Sequence, residues 1–168
     1  KYKLNPVYLT SNVLPTHYVV GMVDMKQTGK AYVVLEEGED IYISHNNTNH
    51  ALHGDKVKVY LFPQRKNRKR EGQIIEVIER AKTSFVGVLE THQRYAFVIP
   101  DSSFMPVDIF IPIDCVGKAK NGDKVLAEIT EWPDSANNPF GKILKVLGKP
   151  GDNDVEMQSI LSEFDFPL

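Results

Sequence analysis

Two groups of side chains in this sequence have the types and spacing to act on a nucleic acid. The first is a run of cations, Arg65-Lys66-Asn67-Arg68-Lys69-Arg70, basic at five of six positions. Guanidinium and ammonium groups at that density suit phosphate oxygens. The second is a set of rings, with Tyr32 and Tyr42 early in the chain and Tyr95, Phe97 and Phe110 later. Flat rings beside cations form a platform for unpaired bases, worth about 1–3 kcal/mol per base. Each group has a plainer alternative: a charge run can be a solvated face, and exposed rings can pack against a partner module or another domain.

Catalytic and metal-binding arrangements are weaker. Asp152, Asp154, Glu156 and Glu163 fall at positions 1, 3, 5 and 12 of a calcium loop, but position 6, where a sharp turn needs Gly, is Met157. Met157, Ile160, Leu161 and Phe164 instead follow i, i+3, i+4, i+7 and predict the apolar face of a short helix. Asn153, with Glu156 three residues on, reads as its cap. His50 and His53 have no third ligand nearby and read as loop residues, and Cys115 reads as a small buried hydrophobe. Trp132 falls in a loop and reads as a packed ring before a base-stacking one. No three or four carboxylates are placed to hold two metal ions on a phosphodiester, so no catalytic residue and no metal ligand is assigned.

The elements that must position the rings show up as an internal repeat. Ala31-Tyr-Val-Val matches Ala96-Phe-Val-Ile, and Asp40-Ile-Tyr-Ile matches Asp108-Ile-Phe-Ile. Gly54-Asp55-Lys56-Val57 returns as Gly122-Asp123-Lys124-Val125, and the phrase opening at Gly72 returns at Gly141. The offsets of 65, 68, 68 and 69 run in order, as a duplicated module of about 65 residues with drifting loop lengths would give.

Each module reads as five short strands. Val57, Val59 and Leu61 alternate with Lys56, Lys58 and Tyr60, and Val125, Ala127 and Ile129 share one face of the matching strand. The Gly-Asp pair before each fourth strand reads as a tight turn. Five strands without a long helical pattern predict a small closed barrel, an all-β architecture, with an antiparallel sandwich as the alternative. On the second and third strands, Ala31, Val33, Ile41 and Ile43 take the inward positions, leaving Lys30, Tyr32 and Tyr42 outward. In the second module, Ala96, Val98, Ile109 and Ile111 go inward, and Tyr95, Phe97 and Phe110 outward. The cationic run then occupies the loop between strands four and five of the first module, and Trp132 the equivalent loop of the second.

The 168 residues are 42% apolar and 25% charged, which argues against wholesale disorder. One cysteine excludes an intrachain disulfide, and no apolar run is long enough to span a membrane. Residues 1–82 carry 13 Lys/Arg against 9 Asp/Glu, and residues 83–168 carry 7 against 13, so a polyanion is better suited to the first half. The chain starts without Met and without an apolar signal core, and it ends on Phe166-Pro167-Leu168, so it reads as a piece of a longer protein.

Lys30-Ala31-Tyr32-Val33 with Asp40-Ile41-Tyr42-Ile43, and Tyr95-Ala96-Phe97-Val98 with Asp108-Ile109-Phe110-Ile111, resemble the paired ribonucleoprotein motifs of cold-shock domains, which are OB-fold barrels. Ala51-Leu52-His53-Gly54-Asp55-Lys56-Val57, Arg70-Glu71-Gly72, Val77-Ile78-Glu79-Arg80 and Val146-Leu147-Gly148 extend the similarity to the N-terminal cold-shock tandem of bacterial ribonuclease R, within the ribonuclease II family. The first module departs from the motif by placing Lys30 where an aromatic is usual.

The resemblance implies a lead-in over residues 1–16, OB domains over 17–82 and 83–148, and an acidic helical linker over 149–168. It also implies the single-stranded RNA-binding region of a cytoplasmic, monomeric, Mg²⁺-dependent 3′→5′ exoribonuclease, with the metal-binding catalytic domain beyond residue 168 and no cofactor or membrane partner of its own. RNA contacts are then expected at Lys30, Tyr32, Tyr42, Arg65, Lys66, Arg68, Lys69, Arg70, Tyr95, Phe97 and Phe110. The alternatives are a stand-alone OB tandem acting as an RNA chaperone or translation factor, and a protein-interaction module.

Overall fold

The computed structural model describes residues 17–163, and the chain divides into two compact units between Ala81 and Lys82. The expected lead-in, residues 1–16, and the expected helix-face residue Phe164 lie outside the described residues.

In the first unit β1 (Tyr18–Met25), β2 (Ala31–Val34), β3 (Ile41–Ile43), β4 (Lys56–Leu61) and β5 (Glu71–Glu79) close into a barrel in the order β1-β2-β3-β5-β4. In the second unit β6 (Ser84–Thr91), β7 (Tyr95–Pro100), β8 (Ile109–Pro112), β9 (Lys124–Glu131) and β10 (Phe140–Gly148) repeat it as β6-β7-β8-β10-β9. Each closure is a parallel pairing of third and fifth strands, which leaves no open edge, so the barrel reading holds over the sandwich. Ala31, Val33, Ile41 and Ile43, and Ala96, Val98, Ile109 and Ile111, are each no more than 1% exposed. Burial of side chains of this size stabilises a fold by roughly 1.5–3 kcal/mol each for the larger ones, and it fixes the strand register, so every alternate residue must face out.

The repeated Gly-Asp pairs make identical turns. Gly54 and Gly122 both have φ of +87°, a conformation that disfavours any side chain. The Asp55 carboxylate accepts a hydrogen bond from the Leu52 N–H at 2.8 Å, and the Asp123 carboxylate accepts one from Lys120 N–H at 2.9 Å. Asp55 is fully buried and is further held by Arg80 at 2.8 Å and the Ala81 N–H at 2.9 Å, so the end of the phrase Val77-Ile78-Glu79-Arg80 is tied to the Gly-Asp turn. Gly72 and Gly141 repeat for a different reason. A Cβ at either would lie 2.5 Å from a carbonyl oxygen of the neighbouring strand.

The helix expected near the C-terminus is α1 (Asn153–Glu163), but it buries a different face. Val155, Ser159 and Ser162 are buried, while Met157 and Ile160 are 65% and 60% exposed. Small side chains let the helix approach closely, with Val155 against Val86 and Leu147 of the second barrel. Glu163 sets its rotation by accepting from the Val86 N–H at 2.6 Å and pairing with Lys82. The cap also moves by one residue. Asp152, not Asn153, accepts from the Asp154 N–H at 2.9 Å, and Glu156 reaches back to the Gly151 N–H at 3.0 Å. Of the acidic residues that align with a calcium loop, Asp152 and Glu156 thus serve to start the helix and Glu163 to dock it.

Candidate nucleic-acid interface

In the first unit the register places Tyr32 directly opposite Tyr42, with ring centroids 5.6 Å apart at 60°. The cation beside them is not the one the sequence pattern suggests. Lys30 lies in the exposed turn before β2, where its carbonyl accepts from the Lys26 N–H, and is not on the strand face. Lys69 from the β4–β5 loop supplies the charge, its Nζ 5.9 Å from the Tyr32 ring centre, within cation–π range. At the neighbouring β1–β2 turn, a hydrogen bond to Asp24 at 2.8 Å raises the pKa of Lys26, so this cation is already committed.

The basic loop, residues 62–70, is exposed over most of its length. Asn67 takes φ of +62° at its tip, and the Arg68 N–H donates to the Arg65 carbonyl at 3.1 Å. Among the described residues, none of Arg65, Lys66, Arg68, Lys69 and Arg70 forms an ion pair. The loop is anchored at its base, because the Tyr42 N–H donates to the Arg70 carbonyl at 2.8 Å. Uncompensated positive charge is thereby held beside the Tyr32–Tyr42 pair.

The second unit is richer in rings and poorer in cations. Phe97 stands opposite Phe110 at 5.6 Å, and Tyr95 lies 5.6 Å from Phe97 and 5.8 Å from Phe110. Two rings that sequence reasoning missed complete the array. His92 stacks on Tyr95 at 4.9 Å, and Phe140 lies 5.2 Å from Phe110. The signal for Phe140 was present in the repeat. It precedes Gly141 as Glu71 precedes Gly72, and each pairs with the outward ring of the third strand.

A third group was also passed over. Tyr60, outward on β4, lies 5.5 Å from Tyr18 and 5.9 Å from Phe62. In the β9–β10 loop the Trp132 indole N–H donates to the Ala136 carbonyl of the same loop at 3.1 Å, which supports a packed ring. Cys115 is only partly buried, a correction to its reading as a small buried hydrophobe, because it ends a short 3₁₀ turn after β8. His53 accepts from the Met25 N–H at 3.0 Å, and the His50 carbonyl accepts from Arg80 at 2.7 Å. Both are loop residues with structural tasks. Among the described residues, no three or more His, Cys, Asp or Glu side chains cluster in a way that could hold a metal ion. Among the described residues no helix is long and apolar enough to cross a membrane.

Residues 21–77 match the Ribonuclease B OB domain family, and residues 97–168 match the Cold shock domain family. Ribonuclease R of Thermotoga maritima is 30% identical over 149 residues, covering 88% of this chain and 21% of that protein. The chain is similar to the OB-domain regions of ribonuclease R. It spans about a fifth of the length of the curated relatives it matches. The fold agrees. Yeast Ssd1, described as a pseudonuclease, superposes with a TM-score of 0.80 at 21% identity, over 97% of this chain and 26% of that one. Mycoplasma genitalium RNase R in complex with ribose-methylated single-stranded RNA gives 0.76 at 16% identity, over 85% and 23%.

Proposed function

We propose that this ribonuclease R-type OB tandem binds single-stranded RNA and guides it to the catalytic domain of a longer 3′→5′ exoribonuclease. One observation carries the reading most directly. Both units present outward rings at matched positions of their second and third strands, and the first adds a loop of unpaired cations beside them. Bases stack on the rings, and phosphates lie along the loop. Stacking accepts any base and the cations accept any phosphate, so the tandem would hold RNA with little sequence preference, as a feeding region requires.

Hydrolysis belongs elsewhere in such a protein. The described residues do not fit a Mg²⁺ site, since they contain no cluster of three or more candidate ligands. The structural likeness to a pseudonuclease and to a nuclease alike supports a binding task for this region that is separable from cleavage. Titration of fluorescent oligouridine of about a dozen nucleotides, with and without Mg²⁺, tests both statements. Saturable binding with intact RNA is expected. No binding would return the rings to a protein-interaction role, and stepwise 3′ shortening that persists through a further purification step would place catalysis within this chain.

A further inference from the structure

Tyr32, Tyr42 and Glu71 form one row across β2, β3 and β5 of the first barrel, and Phe62, the first residue after β4, continues it. Tyr32 pairs with Tyr42, Tyr42 pairs with Glu71, and the Phe62 N–H donates to the Glu71 carbonyl at 2.9 Å. The corresponding row of the second barrel is ring after ring, Phe97–Phe110–Phe140. A carboxylate therefore interrupts the first row and leaves aromatic surface on both sides of it. At Glu71 the surface dips into a groove of about 630 Å³ whose lining includes Tyr60, Phe62, Arg65, Arg68, Lys69 and Glu71 itself.

We propose that this groove is a second nucleotide subsite, taking a base of the same single-stranded RNA against Tyr60 and Phe62 and its phosphate at Arg65 and Arg68. The assignment rests on the RNA-binding reading of the tandem and extends it around the barrel. Charge complementarity selects the occupant. Arg65, Arg68 and Lys69 give the groove three cations against the single carboxylate of Glu71, so it favours an anion. The two rings and the fork of each guanidinium suit a planar base carrying a phosphate better than a bare anion. Lys69 joins the two subsites, since it lines the groove and also lies over Tyr32. Tyr42 and Phe62 sit two strand spacings apart, about 10 Å, which a few nucleotides bridge.

Photocrosslinking of the whole chain with a 4-thiouridine dodecamer, mapped by peptide mass spectrometry, tests the subsite. Adducts are expected at Tyr60 or Phe62 in addition to Tyr32 or Tyr42. The triple substitution Phe62→Leu, Arg65→Gln and Arg68→Gln is expected to cut the yield at the groove by about fivefold or more, the equivalent of one lost stack, while sparing Tyr32 and Tyr42. Adducts at Tyr32 and Tyr42 with none at the groove would overturn the subsite and leave the RNA reading standing. Adducts at neither place, nor on the second unit, would overturn the RNA reading itself. Displacement of the dodecamer from the groove by polyglutamate as readily as by oligouridine would make it a general anion site and overturn the nucleotide assignment. Should the variant fail to fold, the adduct map of the parent chain decides alone.

Discussion

Glu71 and Phe140 occupy equivalent places, each one residue before a repeated glycine and each beside the outward ring of the third strand. One side chain repels phosphate and the other extends a stacking surface, so single residues tune two copies of one barrel differently. Phe140→Glu gives the second unit the carboxylate of the first and removes one ring. RNA affinity is expected to fall by about 1–3 kcal/mol if a base stacks there, and unchanged affinity would remove Phe140 from the interface. Phe97→Ala with Phe110→Ala should weaken binding by about 1–3 kcal/mol per lost stack with the salt slope nearly constant, once circular dichroism shows the barrel intact. Asp55 works by a different physics. It is buried, charged and satisfied by two N–H groups and Arg80. Asp55→Ala strands those donors and should cost about 3–5 kcal/mol, read as a lowered urea midpoint for the first unit. At this scale the sequence showed the outward rings, because alternation fixes faces. It did not show that Lys69 rather than Lys30 attends Tyr32, because loop conformation, not strand period, decides where a long cation reaches.

At the scale of elements, the β4–β5 loop separates the units most. In the first it carries five cations that form no ion pair among the described residues, and in the second Trp132 closes the equivalent loop on itself. Converting Arg68, Lys69 and Arg70 to Ala should flatten the log–log salt slope of binding by up to about 2 and weaken affinity most at low salt. A slope left unchanged would mean that the run is only a solvated face. Helix α1 shows where pattern reading fails. Apolar spacing suggested Met157, Ile160 and Leu161 as the packed face, yet the helix seats Val155, Ser159 and Ser162 on the barrel. Its rotation follows from the Glu163 carboxylate meeting the Val86 N–H and Lys82, partners some eighty residues away that no local period encodes. Strands were legible because the repeat stated them twice, while the helix appears once and takes its orientation from tertiary contacts. Val155→Ala should therefore destabilise the second unit by about 1–3 kcal/mol, and the first unit should unfold as before.

For the whole molecule, one barrel architecture is used twice with opposite balances of charge and ring surface. The duplication and the Gly-Asp turns were legible in the ordered offsets, whereas Phe140 meets Phe110 only once strands thirty residues apart lie side by side. In the proposed reading the two units divide the work of holding single-stranded RNA: the first supplies most of the cations, and the second a continuous row of rings. Such a tandem should discriminate RNA by the exposure of its bases, since a duplex presents the same phosphates but hides the base faces. The most direct measurement is fluorescence anisotropy of the intact chain against a single-stranded dodecamer and a blunt duplex of the same length, at one salt concentration. Tighter binding of the single strand, by at least about tenfold for the loss of one to two stacks, is the predicted result. Equal affinity for the two forms would reduce the interface to electrostatics and contradict the assignment of the outward rings to RNA.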